Sequence, residues 1–318
     1  MISKNYPLAI IGPTASGKSE VAVALAKKIN GEVVGMDSRQ IYEGMAIGTA
    51  QPTLDEQGGV PHHMIGIKPP NEEIAAGTYA KLVLNLVTDI QSREKIPVIC
   101  GGAGLYYRAI TKGIFEESVS DLNVRKQLED EYDKNGSTNL MDRLMELDPE
   151  YAEIVHPNNK KRLIRALEIY ASTGKPPTEH YQNQSKDSPP QLDLFTIYMD
   201  WELDELGDRI AKRTTKMLKA GWVNEVRTLM KHYPDEVLHP LDSIGYSQII
   251  TYLNDEISEE ELEIEITLRT RQFAVRQIKW FRKETIDLTI KMSVERSLKV
   301  ITEEIIQNLL KIDSQKVR

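Results

Sequence analysis

The chain has 318 residues, 40% hydrophobic and 28% charged, with a net charge of −8. That length can bury a core for one large or two modest domains, and no run of about eighteen apolar residues is present to cross a membrane. A single cysteine, Cys100, excludes an internal disulfide and a Cys-based zinc site.

The N-terminal residues lack the charged, apolar and cleavage segments of a signal peptide, so a cytoplasmic protein is expected. Leu8–Ile11 reads as a buried strand running into a glycine turn, and Glu20–Ile29 as a helix with Val21, Leu25 and Ile29 on one face. Val33–Met36 reads as a second strand, 78–92 as a helix and Val98–Cys100 as a third strand. Cys100, in an apolar run, reads as a small buried residue. From about Glu116 to 182 charge and helix formers dominate, and Asn183–Pro190 reads as an exposed linker. Phe195–Met199 returns to strand character. Residues 204–232 and 259–283 read as long helices, and 297–311 as a closing amphipathic one.

Strands alternating with helices imply an α/β fold: a phosphate-loop parallel-sheet core flanked by helices. The core would comprise 1–115 and 191–318, with 116–190 as a helical insertion domain. The acidic balance taken alone argues against nucleic acid, yet the charges are segregated. Residues 253–265 carry seven acids and no bases, and 269–283 carry six bases and no acids. The run Asn158–Arg165, with Lys161, Arg162 and Arg165, is also purely basic. Local patches, not net charge, meet a phosphate backbone.

Gly12-Pro13-Thr14-Ala15-Ser16-Gly17-Lys18-Ser19 fits G-x-x-x-x-G-K-[ST] at every fixed position. Glycines let several N–H groups converge on one anion, and the helix that starts there adds its dipole. Lys18 supplies a compact cation and Ser19 a hydroxyl for magnesium. The loop points to a di- or triphosphate ligand and leaves the reaction open. Phosphoryl transfer also needs an apolar strand ending in a magnesium-positioning Asp, and the best such strand ends in Gly101-Gly102.

Asp37-Ser38-Arg39-Gln40 follows the second strand, so Asp37 should share the sheet edge of the phosphate loop. A carboxylate there could hold magnesium, take a proton from a nucleophile, or cap the next turn. Gln40 could read an adenine edge by a bidentate amide contact. Arg39 suits phosphate or stacking.

With these blocks in place, the chain resembles the bacterial tRNA dimethylallyltransferase (isopentenyl-diphosphate:tRNA transferase) family. The matching segments are GPTASGKS at 12–19, DSRQIY at 37–42, GMAIGTAQP at 44–52, PHHMI at 61–65 and GGAGLYY at 101–107. KRLIRALEIY at 161–170, GW-x-x-EV at 221–226, SIGYSQ at 243–248 and TRQFAVRQIKWF at 270–281 follow in family order. The resemblance implies transfer of a dimethylallyl group from dimethylallyl diphosphate to the exocyclic amine of the adenine 3′ of the anticodon in tRNA. The implied partners are that donor and the tRNA anticodon stem-loop, without a membrane, and the implied cofactor is Mg2+ at Ser19.

The implied catalytic set is Asp37 as proton acceptor with Lys18 and Arg213 on the diphosphate, which the 12–19 loop binds. Ser38, Arg39, Gln40, Ala103 and Arg125 match tRNA-contacting positions, and Lys161, Arg162 and Arg165 add the basic run. On a helix, Arg269, Gln272, Arg276, Lys279 and Lys283 would form one stripe, while Tyr106 and Tyr107 are expected to pack. Two residues depart from the family: Ala103 stands where threonine is usual, and Gly66 where an acid is usual. His62 and His63 are expected to be structural. A small-molecule kinase and a nucleic-acid-binding NTPase remain as competing readings of the loop.

Overall fold

The computed structural model describes residues 6–113, 121–187, 192–234 and 236–316. In chain order, β1 (Leu8–Ile11), α1 (Lys18–Ile29), β2 (Gly31–Met36), α2 (Leu54–Gln57), β3 (His62–His63), α3 (Ala76–Ser92), β4 (Ile96–Gly101) and α4 (Gly104–Lys112) open the fold. Five helices follow: α5 (Leu122–Asn135), α6 (Thr138–Leu147), α7 (Pro149–Ile154), α8 (Lys160–Thr173) and α9 (Pro177–Asp187). Then come β5 (Phe195–Asp200), α10 (Leu203–Lys219), α11 (Trp222–His232), α12 (Tyr246–Leu253), α13 (Glu259–Phe281), β6 (Leu288–Lys291) and α14 (Leu298–Lys316).

The six strands form one parallel sheet in the order β3-β2-β4-β1-β5-β6. Parallel strands need both faces covered, which is why β1, β2 and β4 are buried along their whole length. On one face, Val21, Leu25 and Ile29 of α1 and Ile301, Ile305 and Leu309 of α14 join the core built on Leu8, Ile10, Val98 and Ile197. The register aligns Ile11 with Gly101 and Met36 with Gly101. The chain therefore leaves β1, β2 and β4 at a common edge, and Gly12, Asp37 and Gly102 follow these strands there.

The α/β parallel architecture is the one expected, and several elements differ in detail. The 204–232 helix is two helices: Gly221 adopts φ +100°, a left-handed conformation that ends α10 and caps α11. The edge strands β3 and β6 carry no long apolar run, because an edge position needs little burial. The expected linker at 183–190 is helical through Asp187, and Ser188–Pro190 lie outside the described residues.

The chain divides into two compact units, Met1–Thr111 with Leu192–Arg318, and Lys112–Gln191. The expected boundaries at 116 and 190 fall outside the described residues. The second unit has its own core, including Leu140, Leu144, Leu163 and Leu167. Asp148 ties its helices together, accepting the N–H of Tyr151 at 3.0 Å and of Thr178 at 2.7 Å. Among the described residues no helix is long and apolar enough to cross a membrane.

Candidate active site

The phosphate loop wraps between β1 and α1. Ala15 (φ +63°) and Gly17 (φ +83°) are left-handed, and Gly17 caps α1 with no side-chain hydrogen bond. A side chain at Gly17 would be strained, which accounts for glycine at this place. The opening amides of α1 have no acceptor within the helix, and a left-handed turn gathers them into an anion-binding concavity. Lys18 Nζ donates to the Pro13 carbonyl at 2.6 Å and to Ser16 Oγ at 3.3 Å. Lys18 is half-buried. Burial lowers its pKa to about 8, and the nearby Arg213 acts in the same direction.

Four long-range contacts fix the loop's shape. Arg213 of α10 donates to Thr14 Oγ1 at 2.6 Å. One turn earlier, Arg209 donates to the Ala15 carbonyl at 2.9 Å and lies 4.6 Å from the ring centre of Trp201. Trp201 donates through Nε1 to the Ser16 carbonyl at 3.0 Å. Gln277 of α13 accepts the Thr14 N–H at 2.8 Å. Only Arg213 of these four is legible in the sequence. The other three act over separations of at least 185 residues; Gln277 lies in the matched 270–281 block, but nothing in the sequence names these partners.

Asp37 follows β2. Its Oδ1 accepts the backbone N–H of Arg39 at 2.8 Å and of Gln40 at 3.2 Å, and Oδ2 takes no hydrogen bond among the described residues. The carboxylate lies within electrostatic reach of Lys18 and Arg213 and favours the charged form of each. The structure thus brings together the three residues Asp37, Lys18 and Arg213. Ala103 is pinned beside them by its N–H to the Met36 carbonyl at 3.3 Å.

Neighbours of Asp37 are partly committed. Ser38 is half-buried, and Arg39 pairs with Asp242 at 3.0 Å. Gln40 Nε2 donates to both the Thr49 and Ala50 carbonyls at 2.9 Å. With both amide hydrogens used, Gln40 has no donor left for a base, so the expected bidentate contact with adenine is corrected: Oε1 alone remains, as an acceptor. Gly66, at φ +57°, donates its N–H to the Gln40 carbonyl at 2.9 Å, so this departure from the family sits under the same turn.

In the helical unit, Arg125 and Arg165 both pair with the fully buried Glu168, at 3.2 and 2.9 Å. This gives them a structural task that the sequence conceals. Lys161 and Arg162 are exposed on α8. On α13 and just past its end, Arg269, Gln272, Arg276, Lys279 and Lys283 are all exposed. Tyr106 and Tyr107 are buried, the former stacked on Tyr79 with ring centres 3.9 Å apart. His62 bonds the Val60 carbonyl and His63 the Glu32 carboxylate, both structural contacts.

Ser19 is exposed on the first turn of α1. Among the described residues no cluster of three His, Cys, Asp or Glu could cage a metal. A lone hydroxyl at an anion loop suits magnesium, which takes one or two protein oxygens and completes its shell with phosphates and water.

Comparison with known proteins gives the same site a context. Residues 40–284 match the model of the family described as IPP transferase. A tRNA dimethylallyltransferase of Acetivibrio thermocellus is 41% identical over 278 residues, 87% of this chain and 88% of that protein. One of Thermotoga neapolitana is 41% identical over 306 residues, 95% of this chain and 98% of the other. The crystal structure of the full-length tRNA isopentenylpyrophosphate transferase of Bacillus halodurans superposes with a TM-score of 0.70 at 33% identity, covering 98% of this chain and 99% of that one. A eukaryotic dimethylallyltransferase captured acting on tRNA gives 0.79 at 27% identity, over 95% of this chain and 80% of its own.

Proposed function

The chain belongs to the IPP transferase family, and from that premise we propose how its own residues carry out tRNA dimethylallyl transfer. The reaction moves a dimethylallyl group from its diphosphate to the exocyclic amine of the adenine 3′-adjacent to the anticodon, and releases diphosphate. tRNA and dimethylallyl diphosphate are its substrates.

The observation that carries the reading is Asp37 with Oδ1 locked by two amides and Oδ2 left without a hydrogen bond among the described residues, within electrostatic reach of Lys18 and Arg213. An adenine amine is a weak nucleophile because its lone pair is delocalised into the ring. Oδ1 is held by two backbone amides, so Oδ2 keeps a fixed direction in which to accept a hydrogen bond from that amine. As nitrogen bonds the allylic carbon, the carbon–oxygen bond to diphosphate breaks and the amine's proton passes to Oδ2. Lys18, Arg213 and the amides of Ala15 to Ser19 take up the charge that collects on the leaving diphosphate. Gly12 and Pro13 shape the turn, and Thr14 orients Arg213 through its hydroxyl. Ser19 would hold Mg2+, which when bound neutralises part of the diphosphate charge.

The base must leave its stack to reach Asp37, and an unpaired loop makes this inexpensive. We therefore take the anticodon stem-loop as the part of tRNA that is bound. Ser38, Arg39, Gln40 through Oε1, and Ala103 flank the base in this reading. Arg125, Lys161, Arg162 and Arg165 in the helical unit, and the α13 stripe, meet the RNA backbone. The cytoplasm is the compartment this reading implies.

Incubation with dimethylallyl diphosphate and unmodified tRNA, without ATP, tests the reading by mass spectrometry of the digested nucleosides. Prenylated adenosine is expected. A strict requirement for ATP, or a phosphorylated product, would favour the kinase reading instead.

A further inference from the structure

Gln277 sits on α13 with its side chain turned inward, 7% exposed, while Arg276 and Lys279 on the same helix face solvent. Both ends of its amide are committed. Oε1 accepts the Thr14 N–H at 2.8 Å, and Nε2 donates to the Gly102 carbonyl at 2.8 Å. The amide can face only one way, because an N–H needs the oxygen and a carbonyl needs the NH2. Thr14 belongs to the diphosphate loop. Gly102 belongs to the turn after β4, next to Ala103, whose N–H is bonded to the residue before Asp37. Gly102 is fitted to this contact: a Cβ there would stand 2.4 Å from Nε2.

We propose that Gln277 is a positioning residue that sets the spacing between the diphosphate loop and the Gly101–Ala103 turn, and so between the allylic carbon and the adenine amine. The inference rests on the prenyl-transfer reading above. That reaction has a particular need for such a spacer. The donor is gripped by its diphosphate, whereas its five-carbon tail offers no hydrogen-bonding atom by which the reacting carbon could be aimed. The reacting atoms must still approach to about 3–3.5 Å in line. The protein must therefore fix the distance between the group that holds the diphosphate and the group that holds the base. A planar amide with two bonds, one to each loop, does so without touching either substrate.

Gln277→Met keeps the side chain's length and removes both hydrogen bonds. Its kcat should fall about 10–100-fold, with KM for dimethylallyl diphosphate moving less than about 3-fold. A lowered melting temperature with kcat unchanged per folded molecule would overturn the assignment. If Gln277→Met does not fold, Gly102→Ala, which leaves Gln277 in place, decides the matter: an unchanged kcat would overturn the proposal, and a second pair of variants refines the test. Gly102→Ala should lower kcat by displacing Nε2, and should cost much less in a Gln277→Ala background, where there is no amide to displace; additive losses would overturn the proposal. Wild-type protein assayed alongside separates the two levels. A wild type that prenylates no adenosine sinks the transferase reading, whereas an active wild type with unimpaired variants sinks the role of Gln277 alone.

Discussion

The carboxylate of Glu225 on α11 receives the backbone N–H of Gly48 at 2.9 Å, across 177 positions in the chain. The same carboxylate takes the Ile47 N–H at 2.6 Å and the Tyr246 hydroxyl at 2.7 Å. It thereby latches the 45–50 loop, whose Thr49 and Ala50 carbonyls hold the Gln40 amide beside Asp37. Glu225→Ala leaves two amides without their acceptor and leaves the Tyr246 hydroxyl only the Met45 carbonyl at 3.3 Å, a loss of about 1–3 kcal/mol in stability. If Gln40 and Asp37 flank the base as proposed, kcat/KM for tRNA should fall about 10-fold or more, while affinity for dimethylallyl diphosphate stays within about 2-fold. Kinetics with each substrate varied in turn, together with a thermal melt, check this.

Lys18 gives a pH signature. Burial brings its pKa down to about 8. Diphosphate binding favours the charged ammonium, so affinity is full below that value and weakens as pH climbs through it. KM for dimethylallyl diphosphate should therefore rise between pH of about 7 and about 9. Binding above about pH 8 should also take up a proton, measurable by calorimetry in buffers of different ionisation enthalpy. Lys18→Arg should bind the donor with little dependence on pH over this range, because a guanidinium stays charged.

Glu32 anchors the opposite end of β2, buried and paired with Arg93, with Lys95 at 2.7 Å and with His63 at 2.8 Å. Hydrogen bonding from Arg93, more than any other contact, holds its carboxyl far below the usual range. A depressed carboxyl stabilises the fold above its unfolded pKa, and that contribution is lost as pH falls toward the folded value. The melting temperature should drop steadily below pH of about 4.3. Glu32→Gln should flatten that drop and cost about 1–3 kcal/mol at neutral pH, reduced by solvent access to Arg93 and Lys95.

Exposed basic residues and those paired with buried Glu168 should behave differently. Arg269→Ala, Arg276→Ala and Lys279→Ala should each lower the salt dependence of tRNA binding by about 0.7–0.9 in log–log slope, with little change in melting temperature. Arg125→Ala removes one of the cations on buried Glu168 and should lower the melting temperature distinctly. Filter binding across a salt series and a thermal melt separate the two classes.

The phosphate loop, Asp37 and the alternating strands were legible because each is a contiguous pattern with its own physics. The loop needs its glycines in order, and Asp37 needs only to follow a strand. Gln277, Arg209, Trp201 and Glu225 were hidden for the opposite reason. Each is an ordinary residue locally and takes its role from a backbone atom 177 or more positions away. Arg125 and Arg165 read only as tRNA-facing cations because nothing in sequence marks Glu168 as buried beside them. The break at Gly221 was missed because the apolar spacing continues through it. β6 was missed because a four-residue edge strand, half of it exposed, has little pattern to show.

In the proposed reaction Asp37 Oδ2 takes the proton of the adenine amine while Lys18 and Arg213 hold the diphosphate. Asp37→Asn tests it most directly, since asparagine keeps an oxygen for the amides of Arg39 and Gln40 but loses the carboxylate. The expected single-turnover rate is about 10²–10⁴-fold below wild type, with the dissociation constant for dimethylallyl diphosphate within about 3-fold. A variant that transfers at close to the wild-type rate, or that loses rate only in proportion to donor affinity, would contradict it.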